Sequence, residues 1–324
     1  MNRIETITMM NELGKNRSPF FFMISFTGDD CRIFTSETAA QQNILFNFKG
    51  LNYNYPHQSD QVKPLVMSKY PVPFEIYNKS FEIIQKHLNR GNSYLVNLTF
   101  PTPVHVEHSL KAIFHSSSAK YKIYFQDHFV AFSPETFVTI TNGRICTYPM
   151  KGTINSLIPN AETLLLENKK ELAEHVTIVD LLRNDLSRVA SKVKVDKFRY
   201  IDKINTNDKV LLQVSSEISG ELPTDYTERI GSIIFELLPA GSISGAPKEK
   251  TLEIIGEAET YQRGFYTGIA GYFDGINLDS CVLIRFIEKR NDRLIYKSGG
   301  GITTQSIASE EYQELIDKIY VPVS

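Results

Sequence analysis

Between residues 93 and 148 the chain carries five short apolar runs: Ser93 to Phe100, Lys122 to Phe125, Phe129 to Phe132, Phe137 to Thr141 and Arg144 to Tyr148. Segments of this length, rich in Val, Ile, Phe, Thr and Tyr and bounded by turn residues, read as β-strands. Asn142-Gly143 separates the last two and signals a hairpin, because both residues tolerate a positive φ. Such a succession buries its apolar faces by joining a large antiparallel sheet. Further strands are predicted over Phe20 to Phe26, Val193 to Val195, Val210 to Ser219, Gly268 to Phe273, Asp279 to Glu288 and Arg293 to Lys297, with a lysine-rich connector before Val210.

Helical periodicity lies between these runs. Helices are predicted over Ile4 to Leu13 and over Phe74 to Arg90. The second has Ile76, Phe81, Ile84 and Leu88 on one face and is closed by Gly91. Leu172, Val176, Val179, Leu182, Leu186 and Val189 mark a long helix ending near Ala190. Others are predicted over Arg229 to Leu238, after Pro247 through Leu252, Ile255 and Ala258, and at the C-terminus, where Ser309 is the expected N-cap and Leu315 and Ile319 face inward. Strand pairs alternating with long helices give an α+β class, with helices covering large, mostly antiparallel sheets. Pro56, Pro64, Pro71 and Pro73 interrupt the early chain, and no linker follows about residue 75. The expected organisation is one domain over residues 1–324, its motif-bearing core beginning at residue 74.

Composition removes several function classes. With 324 residues, 42% of them apolar, the chain can bury a sizeable core. A net charge of −2 without a basic stretch argues against a nucleic-acid partner. No apolar run reaches the roughly 18 residues of a membrane span. Phe20 to Ile24 follows a polar start containing Glu5 and Glu12 rather than a signal-peptide pattern, so no membrane association is expected and the cytoplasm is the expected compartment. Cys31, Cys146 and Cys281 lack disulfide or zinc spacing, and His175, beside Glu174, is expected to be structural.

Chemistry concentrates in a few segments. Lys151, in Tyr148-Pro149-Met150-Lys151-Gly152-Thr153, places an amine beside a flexible glycine just after a strand, which suits a nucleophile as well as a solvated strand end. Glu171 and Glu174 on the long helix, and Glu311 and Glu314 on the C-terminal one, are spaced three apart, so each pair presents its carboxylates on one face. Hard oxygen donors of this kind, with water and substrate completing the shell, point to Mg²⁺. The segment Leu238 to Lys248 carries Gly241, Ser242 and Gly245 into a helix start that favours an anion. It lacks the Walker spacing, and Ile243 stands where a nucleophile elbow needs serine. Ser298-Gly299-Gly300-Gly301-Ile302 reads as a glycine turn that lets backbone approach a ligand.

Taken in order, these segments resemble the chorismate-utilising enzymes, the family of the anthranilate, isochorismate and aminodeoxychorismate synthase large components. The resemblance runs from about residue 74 to the C-terminus. It rests on Gly91-Asn92-Ser93-Tyr94-Leu95-Val96-Asn97-Leu98-Thr99, Ser133-Pro134-Glu135, Met150-Lys151-Gly152-Thr153, Glu171-Leu172-Ala173-Glu174-His175, Asp180 to Leu186, Ala240 to Lys248, Tyr266 to Tyr272 and Gly299 to Ile302. It implies a four-layer α/β/β/α fold.

Position 151 is alanine in most anthranilate synthases and lysine in the aminodeoxychorismate branch, which this chain resembles. Leu95 stands where water-adding relatives carry a lysine. The implied activity is amination of chorismate for 4-aminobenzoate and folate synthesis, with ammonia from a separate glutaminase subunit and with a separate lyase. Lys151 would be the nucleophile and Glu135 the acid. Thr153, Gly241, Ser242, Tyr266, Arg285, Gly300, Gly301 and Gln213 would contact substrate, with Arg285, placed on a strand Cys281 to Phe286, pairing with a carboxylate. Glu174 and Glu314 would ligate Mg²⁺, supported by Glu171 and Glu311. Gln213 replaces a histidine found in many relatives, and Gln305 to Ala308 departs from the family's usual Asp-Ser-Asp-Pro stretch. The N-terminal part, 1–73, is short and lacks the leucine-leucine-glutamate-serine segment, so tryptophan inhibition is not expected.

Overall fold

The computed structural model describes residues 1–48, 51–53, 65–205 and 210–322. Its core is a pair of nine-stranded sheets. In the first, neighbours run in the order Met150–Asn155, Val210–Glu221, Arg144–Thr147, Thr136–Thr141, Leu278–Val282, Ile269–Phe273, Phe20–Ile24 and Cys31–Phe34, with Ser191–Asn205 paired onto Val210–Glu221. In the second the order is Gly245–Ala246, Leu95–His105, Arg293–Ile302, Phe286–Arg290, Phe129–Ser133, Tyr121–Phe125, Ile44–Phe48 and Leu51–Tyr53, with Ser68–Lys69 beside Leu95–His105. These pairings are antiparallel.

The run Phe20–Ile24 is buried at every position because its strand is covered on both faces. Phe21 and Met23 enter the cluster between the sheets, while Phe20, Phe22 and Ile24 join the cluster on the other side. Across the gap Phe21 stacks on Phe46 of the second sheet with ring centres 4.3 Å apart. Helices cover the outside. Phe74–Asn89, Lys248–Ala258 and Ala308–Asp317 pack on the long strands of the second sheet, and Leu110–Ser116 packs on Tyr121–Phe125 and Phe129–Ser133. Arg3–Lys15 packs against Ile230–Glu236 on the side of the first sheet. The α+β reading and its layered, two-sheet architecture hold.

The hairpin at Asn142-Gly143 forms as read, with φ +49° and +82° and Arg144 paired to Thr141. Other expectations need correction. The described part of the lysine-rich connector, through Asn205, instead belongs to a 15-residue strand, Ser191–Asn205, whose register slips several times against Val210–Glu221; residues 206–209 lie outside the described residues. Such a bulged strand loses the strict alternation that identifies strands in sequence. On the Phe74–Asn89 helix Tyr77 is buried and Ile76 is 48% exposed, so the apolar face is rotated from the expected one. The last helix starts after Ile307, which supplies no side-chain cap, and Ser309 lies inside it. The three glycines are not a turn, because they continue the strand Arg293–Ile302 opposite Leu98, Thr99 and Asn97. Finally, Asp279 to Glu288 is not one strand: Leu278–Val282 belongs to the first sheet and Phe286–Arg290 to the second.

Candidate active site

That last correction locates the cavity. The chain crosses between the sheets twice in one neighbourhood, from Phe129–Ser133 to Thr136–Thr141 and from Leu278–Val282 to Phe286–Arg290. The first crossing carries Glu135 and the second Arg285. They are tied together, since Val282 N donates to Glu135 O at 3.2 Å and Phe132 N to Arg285 O at 3.1 Å. Arg285 has φ +52°, a conformation unfavourable for a residue with a side chain and maintained here by the surrounding structure. A cavity of about 280 Å³ opens between the crossings, and both residues line it.

Lys151 enters from the edge strand Met150–Asn155. Lys151 pairs with Val214 and Thr153 with Gln213, leaving Gly152 as the extra residue of a bulge with φ +72°. Glycine adopts this angle without the cost a side chain incurs, and the bulge re-aims its neighbours. Lys151 Nζ donates to Glu174 Oε2 at 3.1 Å. Burial opposes the charge on this amine, but the carboxylates of Glu174, Glu171 and Glu314 outweigh it, so its pKa is raised. Glu135 is shifted up as well, chiefly by burial, against the Ser242 hydroxyl that donates to its Oε1. A carboxyl that keeps its proton beyond the ordinary range suits a general acid.

Thr153, Ser242, Tyr266, Gly300, Gly301, Gln213 and Glu314 also line the cavity. The Gln213 amide donates to Thr153 Oγ1 at 3.5 Å. Tyr266 is buried, and its phenol pKa is raised by burial, so it remains a neutral donor. Gly241 does not line the cavity. A Cβ there would stand 2.9 Å from Leu181 Cδ2 and 3.1 Å from Asp185 Oδ2, so the glycine lets its short helix approach the long one. The segment leading to the following helix start faces the cavity through Ala240, Ser242, Ile243 and Gly245, while Lys248 is engaged by Asp185 at 2.8 Å. Arg285 forms no ion pair among the described residues; its guanidinium lies 5.1 Å from the Tyr320 ring centre, and its buried Nε has no partner. His175 is structural, bonded to Ser216 Oγ at 2.7 Å, with burial pushing its pKa down to about 4.

Lys318 and Asn97 are among the lining residues that were not anticipated. Lys318 donates to Gly299 O at 3.0 Å and pairs with Glu314 at 2.6 Å; its position four residues after Glu314 was the available signal. Asn97 was legible as a polar residue inside the apolar run Leu95-Val96-Asn97-Leu98, and its Oδ1 is buried without a hydrogen-bond partner among the described residues.

The glutamates are set around two glycines. A Cβ on Gly152 would lie 3.3 Å from Glu171 Oε2, and one on Gly300 would lie 3.5 Å from Glu311 Oε2 and 3.8 Å from Glu314 Oε1. Among the described residues no three acidic, histidine or cysteine groups converge into a complete metal cage. The carboxylate oxygens of Glu171, Glu311 and Glu314 beside Gly152 and Gly300 are hard donors of the kind Mg²⁺ accepts, one or two at a time, with water and substrate in its other positions.

Comparison with known proteins identifies the family. The chorismate binding enzyme family matches residues 22–324. A Haemophilus influenzae protein described as "Uncharacterized PabA-like protein" is 51% identical over 317 residues, covering 98% of this chain and 96% of that one. Aminodeoxychorismate synthase component 1 of Bacillus subtilis is 32% identical over 280 residues, covering 81% of this chain and 58% of its own length. The structure of the menaquinone-specific isochorismate synthase from Escherichia coli superposes with a TM-score of 0.73 at 15% identity, covering 97% of this chain and 80% of that one, a likeness of fold. The chain belongs to the chorismate binding enzyme family and is related to aminodeoxychorismate synthase.

Proposed function

We propose that this protein replaces the C4 hydroxyl of chorismate with an amino group, giving 4-amino-4-deoxychorismate for 4-aminobenzoate and folate synthesis. The observation that carries the reading is the presence in one cavity of the Lys151 amine and of Glu135, a carboxyl that holds its proton unusually well. In the first step the neutral Lys151 amine attacks C2, both ring double bonds shift, and the C4–O bond breaks as Glu135 protonates the departing hydroxyl, which leaves as water. In the second, ammonia attacks C4, the double bonds shift back and the C2–N bond breaks with its electron pair returning to Lys151; the extra proton on the new ammonium then passes by way of the lysine amine to the ionised Glu135, so both groups regain their starting forms. Arg285, with its unpartnered Nε, and Tyr266 would hold the enolpyruvyl carboxylate, helped by the backbone at Gly300 and Gly301; Thr153, Gln213 and Ser242 would line the ring.

Glu174 and Glu314 would hold Mg²⁺, with Glu171 and Glu311 supporting them. When bound, the ion would anchor the ring carboxylate and neutralise the negative charge around it. Leu95, 5% exposed, presents an apolar wall beside Gly301, which disfavours activation of water there. Ammonia would come from a glutaminase partner. The defining experiment incubates the protein with chorismate, ammonium and Mg²⁺ and identifies the product by mass and proton spectrum. Amination at C4 supports the reading; amination at C2, the anthranilate outcome, or no turnover would overturn it.

A further inference from the structure

We infer that Asn97 binds the incoming ammonia through its side-chain carbonyl and so sets how the enzyme uses this nucleophile; the inference rests on the amination reading above. Asn97 lines the cavity, and its Oδ1 is buried with no hydrogen-bond partner among the described residues. A buried acceptor left unpaired destabilises the fold until a donor reaches it. The residue lies directly opposite Gly301 in the strand pair Leu95–His105 and Arg293–Ile302. Residues so paired project on the same face with Cβ positions about 5 Å apart. The Cβ position of Gly301 is 3.7 Å from Lys151 Nζ, so the Asn97 amide is on the face where the amine arrives.

The strand beneath Asn97 is pinned. Arg263 Nη2 donates to Asn97 O at 2.7 Å, and the same guanidinium is paired with Glu259 at 2.6 Å, both side chains 2% exposed. Glu259 Oε1 in turn accepts from Thr99 N at 2.8 Å. The backbone that carries the orphan carbonyl is therefore fixed before any ligand binds.

The ligands narrow the choice of donor. The two carboxylates and the ether oxygen of chorismate only accept hydrogen bonds, which leaves the C4 hydroxyl and ammonia. The hydroxyl departs in the first step, where Glu135 already serves it. Ammonia gains positive charge on nitrogen as its lone pair forms the C4–N bond and the electron pair of the C2–N bond returns to Lys151. Its N–H groups become stronger donors in that transition state than in the free molecule, so a fixed carbonyl acceptor assists the step itself.

The test begins with the wild-type protein, chorismate, Mg²⁺ and a series of ammonium concentrations. Failure of the wild type to aminate chorismate condemns the underlying reading. With amination established, Asn97→Ala is expected to raise KM for ammonium at least tenfold, to change KM for chorismate less than twofold, and to form the lysine adduct as before when ammonium is omitted. Asn97→Asp, which keeps an acceptor, should recover most of the loss. If the alanine variant does not fold, Asn97→Leu removes the same acceptor while keeping the branched heavy-atom skeleton and takes its place. An unchanged KM for ammonium, or a rise confined to chorismate, overturns the assignment of ammonia to Asn97 while leaving the amination reading intact.

Discussion

Lys151 and Lys122 are two lysines withdrawn from water in different regions of the molecule. Lys122 lies on the outer face of the second sheet beneath the Leu110–Ser116 helix, donating to Phe114 O at 2.9 Å and Ser117 O at 2.7 Å. Burial pushes its pKa down to about 8. Lys151, at the cavity, feels burial too, yet Glu174 and the neighbouring carboxylates carry its pKa the other way. Shelter alone readies an amine for attack only where nothing negative shares the surroundings. The lysine with the more nucleophilic intrinsic state is thus the structural one. In the proposed reaction the neutral form of Lys151 would depend on what engages Glu174, and it is placement in the cavity, not pKa, that makes Lys151 the candidate.

The comparison breaks most directly by exchanging the two amines. Lys151→Ala should lower chorismate turnover by at least about a thousandfold and abolish any trapped adduct. Lys122→Met should leave turnover within a few-fold. An undiminished rate in the first variant, read in the product assay, would end the case for covalent catalysis.

Next in size is the acid. Glu135→Gln should cost about 10²–10⁴-fold in kcat, the usual range for a general acid. Because burial raises the Glu135 pKa, its acid form persists upward in pH, and activity should fall as pH rises through that pKa. The Ser242 hydroxyl stabilises the ionised form, so Ser242→Ala should move this falling limb to higher pH, visible in the pH profile of kcat/KM. A limb that moves down would contradict the assignment.

Lys122 sharpens the other side. Its folded pKa of about 8 lies below the unfolded value of 10.5, so between them the unfolded chain holds a proton that the folded one has released. Stability should therefore rise with pH across that window and be lost as pH falls through about 8, by up to about 3 kcal/mol. Denaturant unfolding of wild type against Lys122→Met reads this as a steeper pH slope in the wild type; equal slopes would refute it. The smallest effect is expected at Gly152. Alanine there pays about 1–2 kcal/mol for its left-handed backbone. It also places a methyl 3.0 Å from Leu165 Cδ1, so stability in urea should drop by about that amount. An unchanged midpoint would mean the bulge relaxes.

Legibility in the sequence followed local chemistry. The Asn142-Gly143 hairpin, the long helix bearing Glu171 and Glu174 and the strand Phe20–Ile24 were all readable, because turn propensity and apolar period are written within a few residues. The strand Ser191–Asn205 was only partly readable, since its bulges and exposed lysines erase the alternation, and the three glycines read as a turn because strand membership came from Leu95–His105, about 200 residues away. Most candidate site residues were reached through the resemblance; Asn97 and Lys318 each carried a local signal, a polar residue in an apolar run and a lysine four after Glu314, but what brings them to the cavity is set by neighbours across the sheet and helix.

By itself, the sequence determined the α+β class, the two-carboxylate spacing on each acidic helix and the presence of a lysine beside a flexible glycine, since each depends on contacts within a turn or two of chain. Only the tertiary structure decided that Glu135 and Arg285 sit at paired crossings between the sheets, that Gly241 faces a helix and that the Lys151 amine is surrounded by negative charge. Those outcomes depend on which distant segments pack together, and electrostatic shifts follow the distances that packing sets.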